Sequence, residues 1–339
     1  MITYGQSINK ALDEKLKIDK KVILLGEDIK EPYGGAFKIT KELSKKHPNQ
    51  VINTPMSEYA LTGVITGMAI RGLKPVLEIM FGDFITICAD QLINHATKFN
   101  WMYNNQVRVP IVIRTPMGGR RGYGPTHSQT IEKMYLGIPG LKVIAPSHFH
   151  DVGKLLINAI DDENPVLFIE NKLLYPKKIV EIKDGYMDDF SAKITEDSYY
   201  SVILSNADFE ECDVTILTYG GMLPYVIDAS NEILEKEEIT CEIIVPSYLN
   251  KANISETIKS IETSGRLVIV EEGTKTGGWG AEMTAKVIEQ GFDLLEEPIS
   301  RVAALDLPIA NTKTLEDKIL PQISDIKKAI MGVAEYNDT

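Results

Sequence analysis

The sequence TPMSE at residues 54–58, followed by GVITGMA at 63–69, decides the fold of this chain. Residues 51–53, Val-Ile-Asn, predict the end of a strand, the proline predicts a turn, and Glu58 then opens a helix. An acid in the first helical turn is stabilised by the positive end of the helix dipole. Open parallel sheets bind ligands beyond the carboxyl ends of their strands, which makes Glu58 a candidate ligand-binding residue. In the competing interpretation Ser57 caps the helix and Glu58 supports the cap.

Length and composition restrict the class of protein. The chain has 339 residues and 44% hydrophobic residues, enough for two α/β domains with proper cores. Its formal net charge of -12 argues against a nucleic-acid backbone or an anionic membrane as main partner. Cys88, Cys212 and Cys241 lie far apart, so neither a disulfide framework nor a zinc site is indicated. Residues 1–17 lack the apolar core of a signal peptide, and we expect a soluble, cytoplasmic protein.

Strand-like and helix-like segments alternate along the chain, which is typical of parallel sheets covered by helices on both faces. The first set predicts strands at 21–27, 51–54, 75–80, 109–114, 141–145 and 166–170, and helices at 7–16, 35–46, 59–71, 83–100 and 150–160. The second set predicts strands at 213–219, 241–245, 266–271 and 299–305, and helices at 222–235, 254–263, 280–290 and 314–330. Residues 171–211 are polar and aperiodic, and we interpret them as a linker. We therefore predict two α/β domains, an N-terminal parallel-sheet domain over 1–190 and a C-terminal domain over 200–339.

A glycine-rich segment, RTPMGGRRGYGPTHSQ at 114–129, follows one of the predicted strands. Four glycines and two prolines permit unusual backbone angles, and such loops often serve ligands. His127 lies near its end, where Ser128 and Gln129 are expected to open the next helix. A histidine of ordinary pKa can donate or accept a proton near neutral pH, so His127 is the candidate acid–base residue. No HExxH motif indicates a catalytic metal.

Many short motifs, in the same order over most of the chain, resemble the beta subunits of thiamine-diphosphate-dependent 2-oxo acid dehydrogenases. These subunits belong to the decarboxylating component of pyruvate-, branched-chain- and acetoin-dehydrogenase-type complexes, within the transketolase-like superfamily. The matching segments are 54–58, 63–69, 72–78, 83–84, 90–94, 110–114, 127–129, 139–143, 164–166, 174–175 and 275–282. A related possibility is the C-terminal half of a split transketolase, which shares the pyrimidine-binding domain. The resemblance implies a transketolase-like pyrimidine-binding domain followed by a transketolase C-terminal-like domain.

The resemblance also gives roles to particular side chains. It implies that Glu58 hydrogen-bonds a ring nitrogen of the cofactor's aminopyrimidine and so favours the imino tautomer. Phe84 matches the aromatic residue that stacks on the pyrimidine, although an ordinary core phenylalanine is the alternative. His127 matches a histidine near the reactive end of the cofactor. Thiamine would supply the electron sink, while the protein supplies orientation and proton transfer.

A potassium ion is a further implication of the resemblance. Residues 159–165 resemble a family loop that holds K⁺, mainly through backbone carbonyls. Exposed carbonyls at the end of a helix suit a cation. Transferred by position, the ligands would be Ile111, Ala159, Ile160, Asp162 and Asn164. An acidic, solvated loop is the alternative.

The family's diphosphate-binding motif is absent from this sequence. Thiamine enzymes hold Mg²⁺ on the diphosphate with a Gly-Asp-Gly and a downstream asparagine, whereas residues 82–84 here read Gly-Asp-Phe. The chain is therefore expected to supply the pyrimidine half of the site. The resemblance implies an alpha subunit that holds Mg²⁺ and shares the thiamine diphosphate, in an α2β2 heterotetramer.

Departures from the dehydrogenase pattern leave the acceptor open. Residues 202–207 stand where a Gly-Lys-Ala run is expected, and 246–249 replace an Asp-Leu-Arg segment. Arg120 and Arg121 are suited to pairing with an anionic substrate or acceptor, or else belong to a solvated basic loop. The main expectation is decarboxylation of a 2-oxo acid and transfer of the acyl unit to the lipoyl group of an acyltransferase. The alternatives are a stand-alone two-subunit enzyme with a small carbonyl acceptor, split-transketolase-like or acyloin-forming, and a non-catalytic scaffold subunit.

Overall fold

The computed structural model describes residues 1–209 and 211–334, and these fall into two compact units. The first unit takes residues 1–117 and 134–179. The second takes 118–133 and the described chain from residue 180 onward. The segment 118–133, which we call the 118–133 loop, thus belongs to the second unit. The domain limits of 1–190 and 200–339 stay a prediction.

The described residues of the first unit form a six-stranded, all-parallel sheet in the order β2-β1-β3-β4-β6-β5. Its strands are β1 (Val22–Gly26), β2 (Val51–Asn53), β3 (Lys74–Glu78), β4 (Val112–Met117), β5 (Lys142–Ile144) and β6 (Val166–Asn171). β4 and β6 are buried along their whole length, as expected for parallel strands covered on both faces. The predicted α/β class is confirmed for this unit.

Helices surround this sheet: α1 (Tyr4–Ile18), α2 (Leu43–Lys46), α3 (Glu58–Ile70), α4 (Phe99–Met102) and α5 (Val152–Asp161). α1 opens with a capping box, in which the Gln6 amide donates to Thr3 Oγ1 at 3.2 Å and the Thr3 amide donates to Gln6 Oε1 at 2.9 Å. α1 is linked to the end of α5 by the Lys15 ammonium, 2.7 Å from the Asp161 carboxylate.

Two helices predicted in this unit were wrong in extent. The helix predicted over 35–46 is interrupted because Gly35, Lys38 and Glu42 have φ angles of 80°, 58° and 68°, outside the right-handed helical region. α2 covers its last four residues instead. The helix predicted over 83–100 is a 3₁₀ segment (Gly82–Thr86), a π segment (Gln91–Ala96) and α4. π segments occur frequently at functional sites.

In the part of the chain that the structure describes, the second unit contains a seven-stranded mixed sheet in the order β13-β12-β10-β11-β9-β8-β7. Its strands are β7 (Tyr186–Met187), β8 (Phe190–Ile194), β9 (Ser201–Ser205), β10 (Val214–Thr218), β11 (Cys241–Pro246), β12 (Leu267–Thr274) and β13 (Ser300–Ala304). β10 to β13 pair in parallel, and β7 to β9 extend the sheet antiparallel. Its helices are α6 (Leu223–Glu237), α7 (Ser255–Ser264), α8 (Trp279–Gly291), α9 (Lys313–Ile319) and α10 (Ile323–Ala334).

Two predictions for this unit were also wrong. The segment over 171–211, predicted to be a linker, contains three strands, and their short lengths of two to five residues concealed them. The single helix predicted over 314–330 is divided into α9 and α10. Pro321 causes the break, because the residue before a proline avoids the helical region, and Leu320 accordingly has φ −85° and ψ 145°.

A buried ion network joins the three central strands of the first unit. The Arg114 guanidinium on β4 donates to Glu78 on β3 at 2.9 Å and to Glu170 on β6 at 2.7 and 2.9 Å. The Tyr175 hydroxyl donates to Glu170 at 2.7 Å. Arg114 and Glu170 are essentially inaccessible to solvent, at 1% and 0% exposure. Burial disfavours the charge of Arg114, but the two carboxylates outweigh this and raise its pKa. The buried Arg114 cation and the Glu78 and Glu170 carboxylates therefore depend on one another to remain charged.

We expect Arg114→Leu to lower the free energy of unfolding by about 3–5 kcal/mol, because two buried carboxylates lose their cation. Urea denaturation followed by circular dichroism measures this. Arg108→Leu is the matched control, since Arg108 pairs with Glu163 at 3.4 Å while both side chains are at least half exposed. That variant should lose no more than about 1 kcal/mol. Equal losses in the two variants would show that the Arg114 network is dispensable.

Candidate functional site

Glu58 opens α3, as predicted, but it does not support a serine cap. The Ser57 side chain forms no capping hydrogen bond with the described residues, so the capping interpretation was wrong. The Glu58 carbonyl accepts the Thr62 hydroxyl at 2.7 Å. Its carboxylate is half-buried and forms no hydrogen bond or ion pair with any residue in 1–209 or 211–334. A carboxylate at a helix N-terminus without a protein partner is suited to a ligand.

A second carboxylate lies beside Glu58. Glu27 follows the last residue of β1, and because β1 and β2 are adjacent parallel strands, Glu27 and Glu58 lie at the same sheet edge. Glu27 Oε1 is buried with no hydrogen-bond partner among the described residues. Burial raises the pKa of Glu27, and the Glu58 and Asp28 charges raise it further. The sequence analysis missed Glu27, although its position directly after a predicted strand was the available signal.

The backbone carbonyls of Phe84 and Glu58 both lie near the Cys88 thiol. The Cys88 Sγ is 3.7 Å from the Glu58 carbonyl oxygen and 3.9 Å from the Phe84 carbonyl oxygen. Burial raises the pKa of the Cys88 thiol to about 11, so it stays protonated and donates to these carbonyls. The Phe84 ring is half-buried and meets Phe81 edge-to-face at 6.2 Å between centroids. The structure thus brings together the two residues that the sequence assigned to the cofactor.

His127 lies in the other unit, on the 118–133 loop. Its ring is half-buried, its Nδ1 is 2.9 Å from Thr126 Oγ1, and its amide donates to the Gly124 carbonyl at 3.3 Å. The helix expected after Gln129 was wrong: the chain forms a short 3₁₀ turn over Glu132–Met134. The acid–base role of His127 stays a prediction.

Arg120 is held by its own unit. Its Nη2 donates to the Pro321 carbonyl at 2.5 Å, and its guanidinium carbon is 4.2 Å from the centroid of the Tyr225 ring. These contacts engage part of the guanidinium with protein groups. Arg120 is half-buried, and its pairing with an anionic substrate or acceptor stays a prediction.

Glu132, at the far end of the loop, is a buried acid that the sequence analysis did not single out. The Tyr219 hydroxyl donates to its Oε1 at 2.5 Å, while its Oε2 has no partner among residues 1–209 and 211–334. Burial raises the pKa of Glu132 to about 7, with smaller contributions from the charges of Glu271 and Glu272. This carboxyl therefore keeps its proton to a higher pH than an exposed glutamate does.

The residues proposed for potassium lie where α5 ends. The Ile111 carbonyl accepts the Val166 amide at 2.9 Å, and the Ala159 carbonyl accepts the Asp162 amide at 3.4 Å. The Asp162 carboxylate accepts the Lys142 ammonium and the Asn164 amide. Ile160 is 2% exposed. The Asp162 side chain is thus already paired with a protein cation, and K⁺ binding here stays a prediction.

Within the described ranges, no group of three or more His, Cys, Asp or Glu side chains is placed to hold a metal ion. Only Phe149 separates His148 from His150 in the sequence. Burial lowers the pKa of His148 to about 3. The Nδ1 atom of His150 is 2.8 Å from Ser147 Oγ. No helix among the residues described is both long and apolar enough to cross a membrane.

Comparison with known proteins assigns the chain to a family. Residues 1–178 match the transketolase pyrimidine binding domain, and residues 205–326 match the transketolase C-terminal domain. The chain is 38% identical over 331 residues to pyruvate dehydrogenase E1 component subunit beta-2, mitochondrial, of Oryza sativa subsp. japonica, covering 97% of this chain and 85% of that protein. It belongs to the beta subunits of thiamine-diphosphate-dependent 2-oxo acid dehydrogenases. The family predicted from the sequence is confirmed.

Further members of the beta-subunit family extend the comparison. The chain is 36% identical to the pyruvate dehydrogenase E1 component subunit beta of Rickettsia bellii, with 98% of each chain covered. It is 35% identical to the acetoin:2,6-dichlorophenolindophenol oxidoreductase subunit beta of Cupriavidus necator, covering 95% of this chain and 94% of that protein. A solved split-gene transketolase, described as an inactive beta4 tetramer, superposes with a TM-score of 0.76 at 20% identity, over 99% of both chains. This last likeness shows the fold.

Proposed function

We propose that this beta subunit provides the pyrimidine half of a thiamine diphosphate site which an alpha subunit completes. The complete enzyme decarboxylates a 2-oxo acid and transfers the acyl unit to a lipoyl group. The observation that carries the proposal is the half-buried Glu58 carboxylate, which has no protein partner in the described chain. The Cys88 thiol contacts the backbone carbonyls of both Glu58 and Phe84.

The residues of this half-site fit the aminopyrimidine end of the cofactor. Glu58 offers a carboxylate oxygen to a ring nitrogen, and the α3 dipole stabilises its charge. Phe84 offers a partly accessible aromatic face for stacking. Glu27, whose pKa is raised, keeps a proton more readily beside Glu58. When bound, thiamine diphosphate supplies the electron sink for decarboxylation.

The diphosphate end belongs, in this proposal, to the partner. Gly82 and Asp83 match two of the three letters of a Gly-Asp-Gly, but both are buried, and a Cβ on Gly82 would lie 2.3 Å from Met117 Cγ. This tight packing supports a structural role for Gly82 and Asp83. The alpha subunit would hold Mg²⁺ in an α2β2 heterotetramer, while K⁺ would bind at the end of α5.

The names of the relatives support two different candidates for the acceptor of the acyl unit. The pyruvate dehydrogenase relatives support a lipoyl-bearing acyltransferase as partner. The acetoin:2,6-dichlorophenolindophenol oxidoreductase relative favours a second candidate, an enzyme that acts on a small carbonyl compound such as an acyloin. The unpartnered Glu58 favours a catalytic subunit over a scaffold. A cytoplasmic location stays a prediction, since the rice relative is named mitochondrial.

Glu58→Gln should fold normally and lower the 2-oxo acid decarboxylation rate of the complex with an alpha subunit by at least about 100-fold, because an acid–base contact to the cofactor is lost. An artificial dye acceptor measures this rate. The structural cost should be no more than about 1 kcal/mol, as for a helix-terminal residue. The control Glu14→Gln removes an exposed acid from α1. A rate for Glu58→Gln within tenfold of wild type would refute the role of Glu58.

His127→Ala distinguishes the two acceptors. If His127 serves acyl transfer to a lipoyl group, the variant should lose the full lipoyl-dependent reaction by about 100- to 10,000-fold while more of the dye-coupled decarboxylation survives. With a small carbonyl acceptor, both rates should fall together. His95→Ala, at another partly exposed histidine, is the control. Changes of only a few-fold in both rates would mean that His127 is structural.

A further inference from the structure

Two carboxylates from elsewhere in the second unit hold the backbone of the 118–133 loop. The Gly119 amide donates to Glu272 Oε1 at 2.8 Å. The Arg120 amide donates to Glu316 Oε1 at 2.7 Å, and the Gly122 amide donates to Glu316 Oε2 at 3.3 Å. Glu316 is 1% exposed and Glu272 6% exposed. The glycine-rich segment is therefore a held loop rather than a free one.

The loop backbone is shaped to receive Glu316. Arg120 and Gly122 have φ angles of 68° and 67°, in the left-handed region. Backbone turns of this kind can direct successive N–H groups toward one anion. Here that anion is the Glu316 carboxylate, in the first turn of α9. Among the described residues, its side chain accepts hydrogen bonds from these two loop amides and from no cation.

The arrangement also explains a requirement for glycine. A Cβ on Gly119 would lie 2.6 Å from Leu320 Cδ1 and 3.1 Å from Glu316 Oε1. A Cβ on Gly122, at positive φ, would lie 3.1 Å from the Asn311 carbonyl. The loop thus lies close to residues 311–320, and at Gly122 the nearby atom is backbone, which cannot move aside as easily as the end of a side chain. Two residues after Gly122, the Gly124 carbonyl accepts the His127 amide at 3.3 Å.

We propose that Glu316 is a positioning residue for the reaction: by binding the Arg120 and Gly122 amides, it holds the loop in the conformation that presents His127. The inference rests on the role proposed above for His127. Glu316 acts through the loop backbone and is not itself a catalytic residue. Asp317, its neighbour, pairs with Lys313 at 2.8 Å on a more exposed face and provides the matched control.

Hydrogen exchange measured by mass spectrometry on the full chain tests the first half of the proposal. In Glu316→Ala, the amides of Arg120 and Gly122 should exchange at least about 10-fold faster, because their acceptor is gone. Glu316→Gln retains one acceptor oxygen and should restore part of the protection. Asp317→Asn should leave exchange in the loop unchanged. Unchanged exchange in Glu316→Ala would overturn the proposal.

Kinetics of the complex with an alpha subunit test the second half. Glu316→Ala should lower kcat about 10-fold or more with little change in KM for the 2-oxo acid, and Glu316→Gln should recover part of kcat. The double variant with His127→Ala should be no slower than His127→Ala alone, since residues acting through one another are not additive. Additive losses would overturn the positioning role. If His127→Ala is itself harmless, the function proposed for His127 fails, and faster exchange in Glu316→Ala would then leave Glu316 a structural contact only.

Discussion

The charge of Arg114, enclosed between two glutamates, is the interaction on which the first unit most depends. It joins three adjacent strands at a depth where an unpaired charge is prohibitively costly. Glu78 ends β3, and the register of the parallel pairing places Arg114 directly opposite it. Replacing such a network with apolar residues of equal volume is often neutral or stabilising, whereas removing one partner is strongly destabilising. The network holds β3 to β4 and β6, and β1, which precedes Glu27, pairs with β3.

The site uses that geometry through backbone contacts. β1 and β2 bring Glu27 and Glu58 to one edge, and the Cys88 thiol joins the carbonyls of Glu58 and Phe84. The β-strand ends and the buried Cys88 thiol thus fix the positions of the proposed cofactor residues Glu58 and Phe84. The second unit follows the same rule in the 118–133 loop, where buried carboxylates bind backbone amides instead of solvent.

Periodicity and family resemblance predicted the α/β class, the alternation of strands and helices along the chain, and the helix that begins at Glu58. These predictions failed where contacts distant in the sequence or special backbone angles override the local pattern. Left-handed residues such as Lys38 and Glu42 are not visible in a hydrophobic pattern, and β8 is too polar to stand out from a linker. Glu132 and Glu316 could not be found in this way either, because their burial depends on residues about 90 and 200 positions away, Tyr219 and Arg120.

The central claim is that this chain holds one half of a cofactor site and needs a partner for the other. Titration calorimetry with thiamine diphosphate and Mg²⁺, on the isolated chain and on its complex with an alpha subunit, tests it most directly. We predict no measurable binding to the isolated chain, weaker than about 1 mM, and tight, Mg²⁺-dependent binding to the complex. Tight, Mg²⁺-dependent binding by the isolated chain would contradict the account.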